Sequence, residues 1–500
     1  MKTTNYKRLT FTFYILHFTF YIYSCSVEKK ISHSARENVL GTAALKTAQV
    51  GISIFEPATH QYWFNYQGDH YFVPASNTKI PTCYAAMKYL GDSLTGLKYA
   101  FSEGSDSNSI LLAIQPTGDP SFLHPDFQSQ PVWNFLQGLP LRFREQAAFM
   151  DTIWKESRWG SGWSWNDYDA TYMAERSVMP VYGNVMDIQL NDINQRNIND
   201  TSFPQNKGAN MFRTQAPLFD SMINNNTYLL SRDALLANQP RISIRRDISK
   251  NDYWFEESGQ RFENTSIPFV TDNIDGPWLH GYPLTLQVIR DRLHINFGSL
   301  RPRYEDGIFT YTCPDCRIRI VTIKKWNKIH SQATDSLLKP MMHRSDNFFA
   351  EQSLLMVSNE KLGFMSDEKI IDTLLKTDFK DLPQKPRWVD GSGLSRYNLF
   401  SPQDFVTILN KMKNEFGMER IKTILATGGE GTISSYYKAD SGYIYAKTGT
   451  LSGVVALSGF LYTKKNKLLI FSALVNNHTG SATDVRRAVE KFIEGIRNNY

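Results

Sequence analysis

Strand-like alternation appears near both ends of the chain. Over residues 50–73 apolar and polar positions alternate, broken at Glu56-Pro57-Ala58 and at Gln67-Gly68-Asp69, which predicts two or three antiparallel strands. Residues 443–447, 454–462 and 467–475 read as a three-strand meander that turns at Ser452-Gly453 and at Lys464 to Asn466. Residues 484–496 then carry an amphipathic helical pattern. A sheet assembled from both termini, with helices packed on it, is the simplest way to bury these faces, and it makes the chain an α+β protein.

Helical spacing dominates at two further places. After the bend at Pro74, Ile80, Cys83, Met87 and Leu90 share one helical face, and Gly91 reads as the stop. An apolar run over residues 348–357 follows Pro340, which reads as a helix start. Between about 95 and 335 the character changes to Trp-, Asn- and Pro-rich sequence with short strand patterns at 241–245 and 317–324. No compact domain carries so long a structureless loop, so a large β-rich insertion is expected. Five hundred residues also exceed one ordinary core. The expected division is 1–24 as an export signal, 25–47 as a polar tether, 48–95 and 335–500 as two parts of one domain, and 96–334 as the inserted β-rich part.

Charge narrows the picture only slightly. The formal net charge is +6, but basic residues alternate with apolar ones, as in Arg317-Ile318-Arg319-Ile320, which suggests the solvated face of a strand. Nothing resembles a nucleic-acid module. Lys2, Lys7 and Arg8 precede an apolar stretch over 9–23, shorter than a membrane span and typical of an export signal. Ile22-Tyr23-Ser24-Cys25 resembles a lipoprotein cleavage site except for the bulky Tyr23, so lipidation of Cys25, simple cleavage and an uncleaved anchor stay open, with lipidation the expectation tested below. Cys313-Pro314-Asp315-Cys316 reads as a β-turn with Pro and Asp at its centre, and such a turn predicts a disulfide between Cys313 and Cys316. A metal site there is less favoured, because no second Cys or His pair has ligand spacing. Cys83 falls on the apolar helix face and reads as core.

Chemistry is concentrated in three short motifs in fixed order: Ser76-Asn77-Thr78-Lys79, Ser345-Asp346-Asn347 and Lys447-Thr448-Gly449. Each is weak alone; their order, and Ser76's position at the start of an apolar-faced helix, make them one set. One helical turn places Lys79 on the side of the Ser76 hydroxyl. A lysine that is partly desolvated and crowded by a second cation, here Lys447, can be neutral enough to act as a base. Ser345 can relay a proton to a leaving amine, and the Asn347 amide can hold a peptide and steady Lys79. Asp346 reads as orienting its turn, and Asp390, Ser392 and Arg396 as a structural Gly-rich turn.

With these residues in place, the chain resembles the low-molecular-mass class C penicillin-binding proteins, the D-alanyl-D-alanine carboxypeptidases and endopeptidases of peptidase family S13. The resemblance also rests on Pro74-Ala75, Gly118-Asp119-Pro120-Ser121, Arg158-Trp159-Gly160, Gly162-Trp163-Ser164-Trp165, His343-Arg344 and Asp390-Gly391-Ser392-Gly393-Leu394-Ser395. About 270 residues separate Ser76 from Ser345, far more than in class A β-lactamases. Two departures concern local geometry, Pro81 just inside the catalytic helix and the segment Glu430-Gly431-Thr432-Ile433.

The resemblance implies a β-lactamase/transpeptidase-like domain with an antiparallel sheet flanked by helices. It implies a serine D-alanyl-D-alanine carboxypeptidase that removes terminal D-Ala through an acyl-enzyme, with DD-endopeptidase cleavage as an accompanying activity. Ser76, Lys79, Ser345, Asn347 and Lys447 are its catalytic residues. The oxyanion sits between the backbone N–H groups of Ser76 and Thr450, while Thr448, Gly449 and Thr450 bind substrate, the two hydroxyls with Lys447 holding its carboxylate. Asp151 and Trp165 lie where the insertion faces the cleft, Asp151 as a contact for the stem-peptide side chain and Trp165 reading first as a buried structural residue. No metal or organic cofactor is implied. The expected partners are peptidoglycan peptides and, as inhibitors, β-lactams, in the bacterial envelope after export to the periplasm, with membrane contact only through an N-terminal lipid. A serine β-lactamase is the enzymatic rival, disfavoured because no Glu-x-x-Leu-Asn segment is present; a non-catalytic wall-binding protein has no need of the nucleophile and base together.

Overall fold

The structure, a computed structural model, describes residues 29–103, 110–150, 152–190, 212–224, 241–258, 260–273, 282–303, 307–312 and 319–500. Two compact units emerge: residues up to Tyr84 with Leu338–Ser345 and Ile371–Tyr500, and Ala85–Leu337 with Asp346–Ile370. In chain order the elements that matter here are β1 (Gln49–Glu56), β2 (Gln61–Tyr66), α1 (Lys79–Tyr89), α2 (Thr334–His343), α3 (Asn347–Leu362), α4 (Pro402–Ile424), β3 (Ala426–Thr427), β4 (Ile444–Leu451), β5 (Val454–Tyr462), β6 (Leu468–Asn476) and α5 (Ala482–Asn499).

The first unit is built on one six-stranded antiparallel sheet of order β3-β4-β5-β6-β1-β2. The termini therefore meet in the middle of the sheet, where Val50 pairs with Val475 and Ser53 with Ser472. All of β5 but its last residue, and all of β6 but its first, are buried on both faces. That requires a covering layer on each side, and α4 packs on β6 and β1 while α5 packs on β5. On α5, Val485, Ala488, Val489, Phe492, Ile493 and Ile496 fall at the i, i+3, i+4 spacing and are buried in one cluster with Ile52, Ile54, Phe64, Leu457 and Phe471. The α4 helix opens with a capping box, Ser401 accepting from the Asp404 N–H and Asp404 from the Ser401 N–H, and Pro402 sits where its missing N–H costs nothing.

Three sequence expectations need correcting. The segment expected to be a tether is helical from Lys29, and Ile31, Ala35, Val39 and Leu45 are buried against α5 and the sheet. Its first three apolar positions stand four apart, enough for one helical stripe even though the rest is polar. Pro340 does not start a helix: α2 begins at Thr334 and carries Pro340 inside, where its missing N–H leaves the carbonyl four residues earlier without its helical bond. Trp165 is not buried but 71% exposed.

The second unit holds a seven-stranded mixed sheet of order Arg319–Thr322, Ile308–Thr312, Phe297–Pro302, Ala147–Phe149, Ile110–Pro116, Ser93–Glu103, Asn327–Ala333. Only Ala147–Phe149 runs parallel to its neighbours, and it is buried along its whole length, as parallel strands usually are. The buried guanidinium of Arg176 ties this unit's loops together. It donates to the carbonyls of Ser157 and Trp159 at 2.9 and 3.0 Å and meets Asp367 at 2.5 Å, Glu156 at 3.4 Å and Glu351 at 3.5 Å. Burial and the Asp367 charge push the Glu156 carboxyl up to about 7.

Candidate active site

Ser76 lies in a tight 3₁₀ turn, Ala75–Thr78, that leads directly into α1. Three residues per turn bring positions i and i+3 into line, so the Lys79 Nζ stands 3.0 Å from the Ser76 Oγ. Lys79 is fully buried and also donates to the Ser392 carbonyl at 2.7 Å, whereas Ser76 is half-buried. Pro81 is the third residue of α1, inside the first turn, where no helical bond is lost.

The turn is held from three sides. Asn77 Nδ2 donates to Ser458 Oγ at 2.7 Å, which donates to Ser472 Oγ at 2.8 Å, so hydroxyls from paired positions of β5 and β6 anchor it to the sheet. Thr82 donates to the Gly391 carbonyl at 2.7 Å. Gly393, at φ +87°, comes so close that a Cβ there would lie 1.9 Å from the Ala75 carbonyl oxygen. Asp390 fixes this loop by accepting from the Gly393 and Ser395 N–H groups and from Asn398. Ala75 itself is held at φ +47°, a left-handed conformation that costs an L-residue about 1–2 kcal/mol.

The β4 strand carries the third motif past this turn. A Cβ on Gly449 would lie 2.5 Å from the Pro74 carbonyl oxygen and 3.1 Å from the Ser76 nitrogen, so only glycine lets the strand pass. Lys447, fully buried, donates to Ser345 Oγ and to the Thr448 carbonyl, each at 2.8 Å. Ser345 takes φ +64°, a second left-handed residue at the site. Burial, and then the charge of Lys79, hold the Lys447 amine well below the usual lysine range. The two threonines of the strand are also engaged: Thr448 donates to Thr432 Oγ1 at 2.7 Å, and Arg486 Nη2 donates to Thr450 Oγ1 at 2.7 Å.

Asn347 is the first residue of α3, in the second unit, and its amide donates to the Tyr172 carbonyl at 2.8 Å. Asp346 caps that helix by accepting from the Phe349 N–H. Asp151, Cys25, Cys313 and Cys316 lie outside the described residues. Cys83 is buried on α1. Sequence reasoning missed Thr432 and Arg486; the only signal was that the segment around Thr432 departs from the family pattern. Among the described residues no group of His, Cys, Asp and Glu is arranged to hold a metal ion. What the first unit does assemble is a half-exposed hydroxyl beside one buried amine, and a second hydroxyl beside another.

Comparison with known proteins gives a consistent pattern. The model of the D-Ala-D-Ala carboxypeptidase 3 (S13) family matches residues 34–267 and 324–499. The chain is 22% identical over 454 residues to the D-alanyl-D-alanine carboxypeptidase DacB of Haemophilus influenzae, covering 87% of each. It is 24% identical over 465 residues to the D-alanyl-D-alanine carboxypeptidase of Actinomadura sp. strain R39, covering 89% of this chain and 80% of that one. The crystal structure of penicillin binding protein 4 from Haemophilus influenzae aligns with TM-score 0.63 at 19% identity, over 93% of this chain and 98% of that one, so the fold is shared.

Proposed function

The chain belongs to the D-Ala-D-Ala carboxypeptidase 3 (S13) family and is a serine D-Ala-D-Ala peptidase, and we propose that Ser76 is its nucleophile and Lys79 its base. The observation that carries this is the 3.0 Å separation of the Ser76 hydroxyl from the Lys79 amine, with that amine's position fixed by the Ser392 carbonyl. A neutral Lys79 amine keeps an N–H for Ser392 and offers its lone pair to the Ser76 proton. Two buried amines, one of them held low, titrate as a pair and release a proton below the ordinary lysine range.

In the proposed reaction Ser76 Oγ attacks the carbonyl of the penultimate D-Ala, and its proton passes to Lys79. The oxyanion is held by the Ser76 and Thr450 backbone N–H groups, a placement supported by the close passage of Gly449 beside the Ser76 nitrogen. The C–N bond then breaks. Ser345, bonded to Lys447, supplies the proton for the departing D-Ala amine, and water later releases the acyl group. Asn347 binds the peptide backbone, Thr448 and Thr450 the terminal carboxylate, and Asp151 the stem-peptide side chain. The sheet-forming parts of the chain before residue 96 and from 335 to 500 are proposed as the two parts of the transpeptidase-like domain, with 96–334 inserted. Cleavage of peptide cross-links belongs to the same proposal.

The enzyme acts in the bacterial cell envelope. We propose that residues 1–24 direct export to the periplasm, that Cys25 receives the lipid that holds the enzyme on a membrane, and that Cys313 and Cys316 are bridged. Among the described residues no helix is long and apolar enough to cross a membrane. Mature protein recovered soluble and unmodified at its N-terminus contradicts the anchor, and two reactive thiols on native protein contradict the bridge. The function itself is tested with a pentapeptide ending in D-Ala-D-Ala: wild type releases D-Ala and Ser76→Ala releases none.

A further inference from the structure

We infer that Arg486 recognises the free α-carboxylate on the residue that leaves, and so restricts this enzyme to scissile bonds whose departing amine stands next to a free carboxylate. The inference rests on Ser76 being the nucleophile and on the end of β4 binding the leaving side of the substrate. Thr450 is three residues beyond Lys447 on that strand, and its hydroxyl receives the Arg486 guanidinium at 2.7 Å. A guanidinium has five N–H donors in a planar fork, and the bond to Thr450 occupies one. Among the described residues no carboxylate pairs with Arg486, whereas its neighbour Arg487 is paired with Glu490 at 2.5 Å and donates to the Ser435 carbonyl. Arg486 is thus a half-buried cation that reaches the substrate-binding hydroxyl with its charge uncompensated.

Its position is also rigid. Arg486 follows buried Val485 in the first turns of α5, whose apolar face is locked into the core through Val485, Ala488 and Val489. A group placed on a packed helix is held more closely than one on a loop. An anion bound by the Thr450 hydroxyl therefore meets a pre-placed cation with donors to spare, an arrangement suited to bidentate binding of a carboxylate. A terminal D-Ala satisfies this requirement. A cross-link satisfies it when the amine it joins stands beside a free carboxylate, and an amidated one does not.

The test uses two peptides that differ only in the last group, acyl-D-Ala-D-Ala with a free carboxylate and the same peptide with a C-terminal amide. Wild type is expected to prefer the carboxylate peptide strongly in kcat/KM. In Arg486→Gln that preference should shrink by about 10–100-fold, the size of one charge-assisted hydrogen bond to a carboxylate. Arg486→Lys should restore part of it, while Arg487→Gln, which removes an equal charge one residue away, should leave the preference as in wild type. Equal loss on both peptides in Arg486→Gln, or an unchanged preference, overturns the inference. A wild-type enzyme that cleaves neither peptide and is not labelled by penicillin overturns the DD-peptidase reading itself, and the inference with it.

Discussion

At the scale of single residues, the reaction depends on two buried amines that cannot both keep their protons cheaply. Lys79→Ala removes the base and Lys447→Ala the charged group bonded to Ser345, so each should slow acylation by a chromogenic β-lactam by about 10²–10⁴-fold. Asn347→Ala should cost less, the loss of one positioned hydrogen bond, about 1–3 kcal/mol in the acylation barrier. The sign of the pH dependence follows from the pair: burial and the Lys79 charge hold Lys447 low, so the two amines give up one proton below the ordinary lysine range, and acylation, which needs the neutral amine beside Ser76, should rise with pH and level off below that range. A plateau reached only within that range contradicts the account. The three motifs were readable because each packs its chemistry into three or four consecutive residues. Thr432 and Arg486 were not readable, since they meet Thr448 and Thr450 from 16 and 36 residues away through packing alone. The left-handed turns at Ala75 and Ser345 left no signal either, because neither residue type favours φ above zero.

At the scale of elements, the catalytic turn is only as good as what presses on it. Gly393→Ala adds a Cβ that meets the Ala75 carbonyl at 1.9 Å, at a backbone conformation that alanine resists, so the Ser76 turn must shift. Acylation should fall at least tenfold while β-lactam still reaches Ser76, since a small displacement of a nucleophile is costly. In the second unit the Arg176 knot gives a pH test. The Glu156 carboxyl is raised from 4.5 to about 7, so between those values the folded protein binds a proton that the unfolded chain has released, and stability falls as pH rises. Glu156→Gln removes that loss: its gain over wild type should be about 1–2 kcal/mol at pH 8, after allowance for partial exposure, and should shrink toward pH 5. Denaturant unfolding at the two pH values measures it; a gain that grows on acidification contradicts the assignment. The sheet and its final helix were legible from period alone, because β1, β4, β5, β6 and α5 are regular and close in sequence to their partners or to a terminus. The Arg176 knot was not, since its five partners come from three segments far apart in sequence, residues 156–159, Glu351 and Asp367.

At the scale of the whole molecule, the chain's start belongs to the first unit's core. Removing residues 29–45 uncovers the α5 face that Ile31, Val39 and Leu45 protect. At about 1.5–3 kcal/mol for each buried aliphatic side chain, a chain beginning at residue 46 should melt roughly 10 °C or more below the longer one. An unchanged melting temperature would restore the tether expectation. That expectation failed because one short apolar stripe among polar residues gives little periodic signal until its partner surface is known. The β-rich insertion was legible as an interruption of the sheet-forming ends, but its strand order was not, since Ala147–Phe149 pairs with strands that lie on both sides of it in sequence. The central claim, a serine enzyme acylated at Ser76, is tested most directly by the intact mass of the protein after incubation with penicillin, followed by peptide mapping. The account predicts a stable mass increase of one drug molecule, mapped to the peptide containing Ser76 and absent from Ser76→Ala. An unlabelled wild type, or a label retained by Ser76→Ala, would contradict it.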